Sequence, residues 1–383
     1  MSKLSDNLVY LDHAAHFPPS EAGGKPQNPL ATNINPHAGN RFSEELLACI
    51  QNGERRLLAQ FGATEFDAEV VWTSGGTESN NLAVLGSLRS FSEPLSLLDA
   101  TAHKALLAPA RAYAKEQGAC VEVPVDRHGA LQWEQCENGA GNAVLVGVCH
   151  VNNETGAIQN LLELRAWLDR HAPNACLLVD ALQSFGKVEI PWQAAKVDLL
   201  SIGGRKIGGP GHVGALLVRR GLPLQPLMFG GDQQRGMRPG TLDAPGILGF
   251  LEVAQDACSE REANLRHALR LKRHLDERLR HEEWPAGAVV PISPPSASPY
   301  IFSFALPGFE GAILARSLAR RNIVVGTGSA CSAEGGGISH VMQAMQVPEQ
   351  IARGVLRVSF GHRTTVADLD RLVENLKTIV KEY

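Results

Sequence analysis

The chain has 383 residues, enough for two or three domains at about 150 residues each, and its 44% hydrophobic and 20% charged residues fit a soluble globular protein, not a disordered, collagenous or membrane one. Thirty-six Lys and Arg against 40 Asp and Glu leave a net charge of −4, so no chain-wide basic field favours nucleic acid or anionic lipid as a partner. The cysteines are Cys49, Cys120, Cys136, Cys149, Cys176, Cys258 and Cys331, an odd number with no CxxC pair, which argues against a disulfide framework.

Met1 to Leu11 carries Lys3 and Asp6 and lacks the apolar core of about 7–15 residues that a signal peptide needs. No later run reaches about 18 apolar residues, so the reading is a cytoplasmic protein with reduced thiols and no membrane partner. Between 60 and 220, short apolar runs ending in polar or Gly-rich tips alternate with stretches of helical period, the pattern of an α/β domain with a mainly parallel sheet. Val70-Val71-Trp72 leads into Ser74-Gly75-Gly76, Ala143 to Val148 into Asn152-Asn153-Glu154, Cys176 to Val179 into Asp180, and Val197 to Leu200 into Gly203-Gly204-Arg205-Lys206. In open α/β sheets such carboxyl-end tips are where ligands bind. Glu260 to His281 has the apolar spacing of a long amphipathic helix and opens a smaller α+β part, in which Tyr300 to Ala305 reads as a strand and Ala312 to Arg321 as a helix.

Three of the tips carry candidate chemistry. Ser74-Gly75-Gly76-Thr77-Glu78 lies between a strand and a helical run from Asn80 to Leu88, where backbone N–H groups at a helix N-terminus suit a phosphate; the same residues also suit a tight turn with a capping Thr. Asp180 at a strand tip suits a cationic ring nitrogen, or else an N-cap for a following helix. Lys206, flanked by glycines and by Arg205, suits imine chemistry if its pKa is lowered, or else is a surface lysine in a loop. Gly209, Gly211 and Gly214 fit GxGxxG in form, but a β-type run follows them instead of a helix, so no dinucleotide site is expected. His13 and His16 have no thiolate or carboxylate cluster beside them, and no metal is expected. Cys331 sits in Gly326 to Gly337 among five flanking glycines, a setting that gives a thiol the access a reactive cysteine needs.

Ser74 to Glu78, His103, His150 to Gly156, Asp180 to Ser184, Lys206, Gly230 to Thr241 and Gly328 to Cys331 occur in the order and spacing of the cysteine desulfurases, which the chain resembles from Tyr10-Leu11-Asp12 to Gly361-His362-Arg363-Thr364-Thr365. The resemblance implies a homodimeric pyridoxal phosphate (PLP) enzyme of fold type I, with a mainly parallel seven-stranded sheet in a large domain at 13–255 and a small α+β domain at 1–12 and 256–383 that carries the loop 326–338. It implies transfer of sulfur from L-cysteine to Cys331 as a persulfide, release of L-alanine and delivery to an acceptor protein for iron–sulfur cluster assembly or other sulfur trafficking. Lys206 is then the lysine that carries the cofactor and the natural base, Asp180 the partner of the ring nitrogen and His103 the imidazole stacked on the ring. Asn153 and Gln183 contact the ring and the substrate side, Gly76 and Thr77 hold the phosphate with Gly203 and Arg205 beside them, Thr241 contributes from the partner subunit, and Arg357 clamps the substrate carboxylate.

The chain departs from the family pattern in several places. Gly203-Gly204-Arg205-Lys206 stands for the usual Ser-x-His-Lys, Ala14-Ala15-His16-Phe17 for Ala-Ala-Thr-Thr, Asp232 and Gln234 for Gly and Glu, and His362 for Arg. These leave two other readings open: a PLP lyase or aminotransferase of the same fold acting on another amino acid, and a catalytically silent scaffold.

Overall fold

The computed structural model describes residues 7–19, 28–285, 287–328 and 337–382. Along the chain its strands are β1 (Val9–Leu11), β2 (Ala68–Thr73), β3 (Leu95–Asp99), β4 (Ala119–Val123), β5 (Ala143–Cys149), β6 (Cys176–Asp180), β7 (Leu199–Gly203), β8 (Gly214–Arg219), β9 (Val290–Pro291), β10 (Ile301–Ala305), β11 (Ile323–Thr327) and β12 (Val355–Ser359). Its α-helices are α1 (Pro29–Asn33), α2 (Arg41–Ala59), α3 (Gly76–Leu88), α4 (Lys104–Glu116), α5 (Leu161–His171), α6 (Ala244–Ser259), α7 (Arg261–His281), α8 (Gly311–Ala319), α9 (His340–Ala344), α10 (Glu349–Ala352) and α11 (Val366–Glu382).

The seven-stranded sheet has the order β2-β8-β7-β6-β5-β3-β4. β8 alone pairs antiparallel, with β2 and β7, so the carboxyl ends of the other six strands lie along one edge. The central strands β6 and β7 are buried at every position, which is why they read as unbroken apolar runs. One face packs Leu177, Val179, Leu200 and Ile202 with α2, α5 and α6, and the other packs Leu178 and Leu199 with α3 and α4. The run expected from Val70 is therefore an edge strand in an antiparallel pair, although it still ends on the shared edge. β8 occupies the place where a dinucleotide fingerprint would need a helix.

A second sheet, β1-β11-β12-β10-β9, packs Leu271, Leu275 and Leu279 of α7 with α8 and α11 in its own core. The helix expected at Ala312 begins at Gly311, and Ile301–Ala305 is buried throughout rather than on alternate residues, because both faces of β10 are covered. Among the described residues no helix is long and apolar enough to cross a membrane, and no His, Cys, Asp and Glu group could hold a metal ion.

The outer side of β2 leaves backbone groups without a strand partner, and the side-chain amide of Gln234 supplies one. Gln234 Oε1 accepts from the Trp72 N–H at 2.6 Å, and its Nε2 donates to the Trp72 carbonyl at 3.0 Å. A carboxylate in the same place accepts but cannot donate. Gln234→Glu therefore sets a negative charge against the Trp72 carbonyl and is expected to lower stability by about 1–3 kcal/mol. A shift of the urea midpoint to lower concentration checks this, and an unchanged midpoint would show that the amide contributes nothing.

Candidate functional site

The strand tips converge on a cavity of about 490 Å³. Gly76, Thr77, His103, Asn153, Asp180, Gln183, Gly203, Arg205, Lys206 and Arg357 all line it. Thr241 is exposed and does not line this chain's cavity, and Cys331 lies outside the described residues.

At one end α3 begins directly on Gly76, four residues earlier than the apolar pattern predicts. Its N-cap is Gly75 at φ 148°, with no side-chain cap, so the alternative of a capping Thr is not what forms here. The first N–H groups of α3 have no intrahelical acceptor, and Gly76 and Thr77 line the cavity, a setting suited to an anion. Backbone packing holds this turn tightly: a Cβ on Gly214 would stand 2.6 Å from Gly75 Cα. Leu182 explains two more small residues, because a Cβ would come within 2.3 Å of its side chain at Gly76 and 2.9 Å at Gly203. A Ser in place of Gly203 would meet the same leucine. Glu78 accepts from the Ser74 N–H at 2.7 Å and pairs with Arg238 at 2.8 Å, tying the loop after β8 to this end.

Asp180 ends β6 and is 2% exposed. Turns rather than a helix follow, so it is no N-cap; its Oδ1 accepts from the Leu182 N–H at 3.0 Å and its Oδ2 from Asn80 Nδ2 at 2.7 Å. Both hydrogen-bond partners are neutral, and burial raises its pKa against the opposing charges of His103 and Lys206, so a cationic N–H placed in direct contact with it would be favoured. His103 caps α4, its Nδ1 accepting from the Ala105 N–H at 3.1 Å, which leaves the proton of a neutral ring on Nε2.

Lys206 closes a short 3₁₀ turn after β7, and its Nζ donates to the carbonyls of Ala14 at 2.9 Å and Ala15 at 2.6 Å. Burial, with the cations of Arg357 and Arg205, brings its pKa down to about 8. Arg205 Nε donates to His16 Nδ1 at 3.0 Å, so two of the departures from the family pattern contact each other. A third and fourth also meet: Phe17 stacks on His362 with centroids 5.6 Å apart. Arg357 is 4% exposed; its guanidinium pairs with Asp12 at 2.6 Å and donates to the Asn153 carbonyl at 2.9 Å, while Nε has no partner.

Asn80, Asp12, His16 and Leu182 are the members of this site that sequence reasoning did not assign. Asn80 follows Gly76 by one helical turn, a polar residue in an otherwise buried stretch of α3, which is the signal that could have found it.

The donor set fits the group that the resemblance implies. One cavity brings together a helix N-terminus for a phosphate, a buried carboxylate whose hydrogen-bond partners are neutral for a protonated ring nitrogen, and a lysine of lowered pKa for a carbonyl. The apo chain is expected to react at Lys206 with an acylating probe at a rate that rises with pH and is half-maximal near pH 8, since only the neutral amine attacks. Arg205→Ala removes one neighbouring cation and moves that midpoint upward. Peptide mass mapping of the labelled lysine measures both, and a midpoint at the ordinary 10.5 would contradict the geometry.

Comparison with known proteins agrees with this geometry. The aminotransferase class-V family profile matches residues 28–372. A cysteine desulfurase of Gluconacetobacter diazotrophicus is 34% identical over 98% of this chain and 94% of its own, and the cysteine desulfurase IscS 1 of Archaeoglobus fulgidus is 32% identical over 98% and 97%. Among solved structures a NifS-like protein superposes with a TM-score of 0.88 at 25% identity, covering 98% of this chain and all of the other. SspA in complex with cysteine superposes with a TM-score of 0.77 at 26% identity, over 92% of this chain and 98% of the other.

Proposed function

The chain belongs to the aminotransferase class-V family, among its cysteine desulfurases, and from that premise we propose that it moves sulfur from L-cysteine onto Cys331, forming a persulfide and releasing L-alanine. The observation that carries this reading is one cavity holding a lysine of lowered pKa, a buried carboxylate with only neutral hydrogen-bond partners and a buried arginine.

In this reading Gly76 and Thr77 offer backbone N–H groups to the phosphate of PLP, with Arg205 beside them. Asp180, held by Asn80 and the Leu182 N–H, faces the ring nitrogen, and His103, Gln183 and Asn153 border the ring. Bound there, PLP supplies an electron sink that loosens the Cα proton of an amino acid and the bond from Cβ to sulfur. Arg357 orients the substrate carboxylate; its free Nε and its pairing with Asp12 keep the guanidinium aimed at the cavity. Lys206, neutral above about pH 8, takes the Cα proton and returns it on the way to alanine. The Cys331 thiolate attacks the substrate sulfur, so the bond from Cβ to sulfur breaks as the new S–S bond forms; the electron pair of the broken bond goes to Cβ, which takes up a proton equal to the one the Cys331 thiol gave up, and alanine leaves. A later thiol of an acceptor protein takes the terminal sulfur.

The exposure of Thr241 is consistent with a homodimer in which the loop after β8 reaches the partner's cavity, with 13–255 as the cofactor-bearing domain and 1–12 with 256–383 as the one carrying Cys331. The absence of a CxxC pair and the single Gly-set thiol support action in the reducing cytoplasm.

Cys331→Ala is expected to abolish protein-bound sulfane sulfur while the visible absorbance of the cofactor persists. Alanine and sulfane sulfur measured together after incubation with L-cysteine decide it: persulfide on the variant would remove Cys331 from its role, and amino-acid turnover that never needs the thiol would favour the lyase reading. Arg357→Lys is expected to raise KM for L-cysteine by about tenfold or more, because one point charge replaces a planar fork. Steady-state kinetics with kcat and KM resolved separately checks that.

A further inference from the structure

Several buried polar groups that the proposed mechanism does not use gather beside the cavity. Lys187 lies in the turns after β6 and is 5% exposed. Its Nζ faces the rings of Phe17 and Tyr300, 5.9 Å from each centroid, and reaches Gln183 Oε1 at 3.5 Å. Among the described residues no carboxylate balances it; the charge that acts on it is that of Lys206, of the same sign, and burial with this repulsion brings Lys187 down to about 7. Around it His13 Nδ1 and Tyr300 Oη are buried without hydrogen-bond partners, and burial with the charge of Lys187 pushes His13 down to about 3. A desolvated amine without an anion is unfavourable for folding. Local violations of this kind concentrate where a site needs them.

A line of hydrogen bonds gives the need. Lys187 Nζ donates to Gln183 Oε1, Gln183 Nε2 donates to the Ala14 carbonyl at 2.8 Å, and that carbonyl also accepts from Lys206 Nζ. The two ends of a glutamine amide are nearly alike in shape, so the donors and acceptors around it decide which end points where. A donor at Lys187 holds the oxygen of Gln183 away from the Ala14 carbonyl and its NH₂ toward it. We propose that Lys187 is a positioning residue for Lys206: it fixes the amide of Gln183, and through it the carbonyl on which the cavity lysine rests. The consequence for catalysis rests on the reading of Lys206 as the cofactor lysine, whereas the line of hydrogen bonds does not.

The test is a double-mutant cycle between Lys187→Met, which keeps the length and apolar contacts of the side chain, and Gln183→Leu. Two readouts are taken on the apo chain, the melting temperature and the rate of acylation at Lys206 across pH, and one on the loaded protein, the dissociation constant for PLP. Lys187→Met is expected to melt no lower than the wild type, since it removes a desolvated amine, and yet to change the Lys206 rate and weaken PLP binding by about threefold or more. The double variant is expected to be no worse than the poorer single one, because both act through one amide. Effects that multiply, an unchanged Lys206 profile, or collapse of the Lys187→Met chain would each overturn the proposal, the last by making Lys187 a structural residue. Lys206→Ala separates the premise: a lysine-bound absorbance that survives it removes Lys206 from its cofactor role, while acylation of Lys206 in the apo chain still decides what Lys187 does.

Discussion

The guanidinium of Arg357 is the junction on which the site depends. It projects from β12 of the small sheet, pairs with Asp12 at the exit of β1 and donates to the carbonyl of Asn153 beyond β5 of the large sheet. Two hydrophobic cores, each complete in itself, are thereby joined at a polar seam where the cavity lies. A buried guanidinium is costly without a counter-charge, and Asp12 supplies it, which holds the segment from Asp12 to Ala15 against β12. That segment carries the two carbonyls on which Lys206 rests. The geometry of the reactive amine is thus set by an ion pair whose Asp12 lies just before the carbonyls of Ala14 and Ala15, and by a strand of the other sheet.

Packing also accounts for most of the departures from the family pattern, four of which come as two contacting pairs, while nothing in the structure explains Asp232. Arg205 contacts His16, and Phe17 stacks on His362. Leu182 occupies the room a side chain on Gly203 would need, and Gln234 stands where an amide serves both backbone groups of Trp72. These changes are answered by neighbours distant in sequence, the behaviour of close-packed interiors in which one altered volume or charge is felt by what touches it. The reactive groups themselves, Lys206 and Asp180, remain at strand tips whose direction the sheet fixes.

Much of this was legible beforehand. The unbroken apolar runs ending at Asp180 and before Lys206 announce buried parallel strands, and the glycines after Thr73 announce a helix N-terminus with open donors. The apolar period gave α7 to within a residue. The start of α3 was read too late because Gly76 to Ser79 has no apolar period, its helical conformation being set by the strand behind it and by Leu182 above it. Asn80 and Asp12 were passed over because each serves a group about 100 or more residues away, Asp180 and Arg357 respectively.

The sequence by itself determined which chemistry is available: a lysine among glycines, a carboxylate at a strand tip, an arginine in an apolar strand and one thiol in a Gly-rich loop, because residue type and local period are properties of short segments. Only the tertiary structure decided what those groups become. Lys206 is brought down to about 8 by burial, by Arg357 from the other sheet and by its chain neighbour Arg205, the hydrogen-bond partners of Asp180 are neutral, and Lys187 is enclosed with no anion beside it among the described residues. Desolvation and charge proximity act through space between segments far apart in the chain, and no local pattern encodes them.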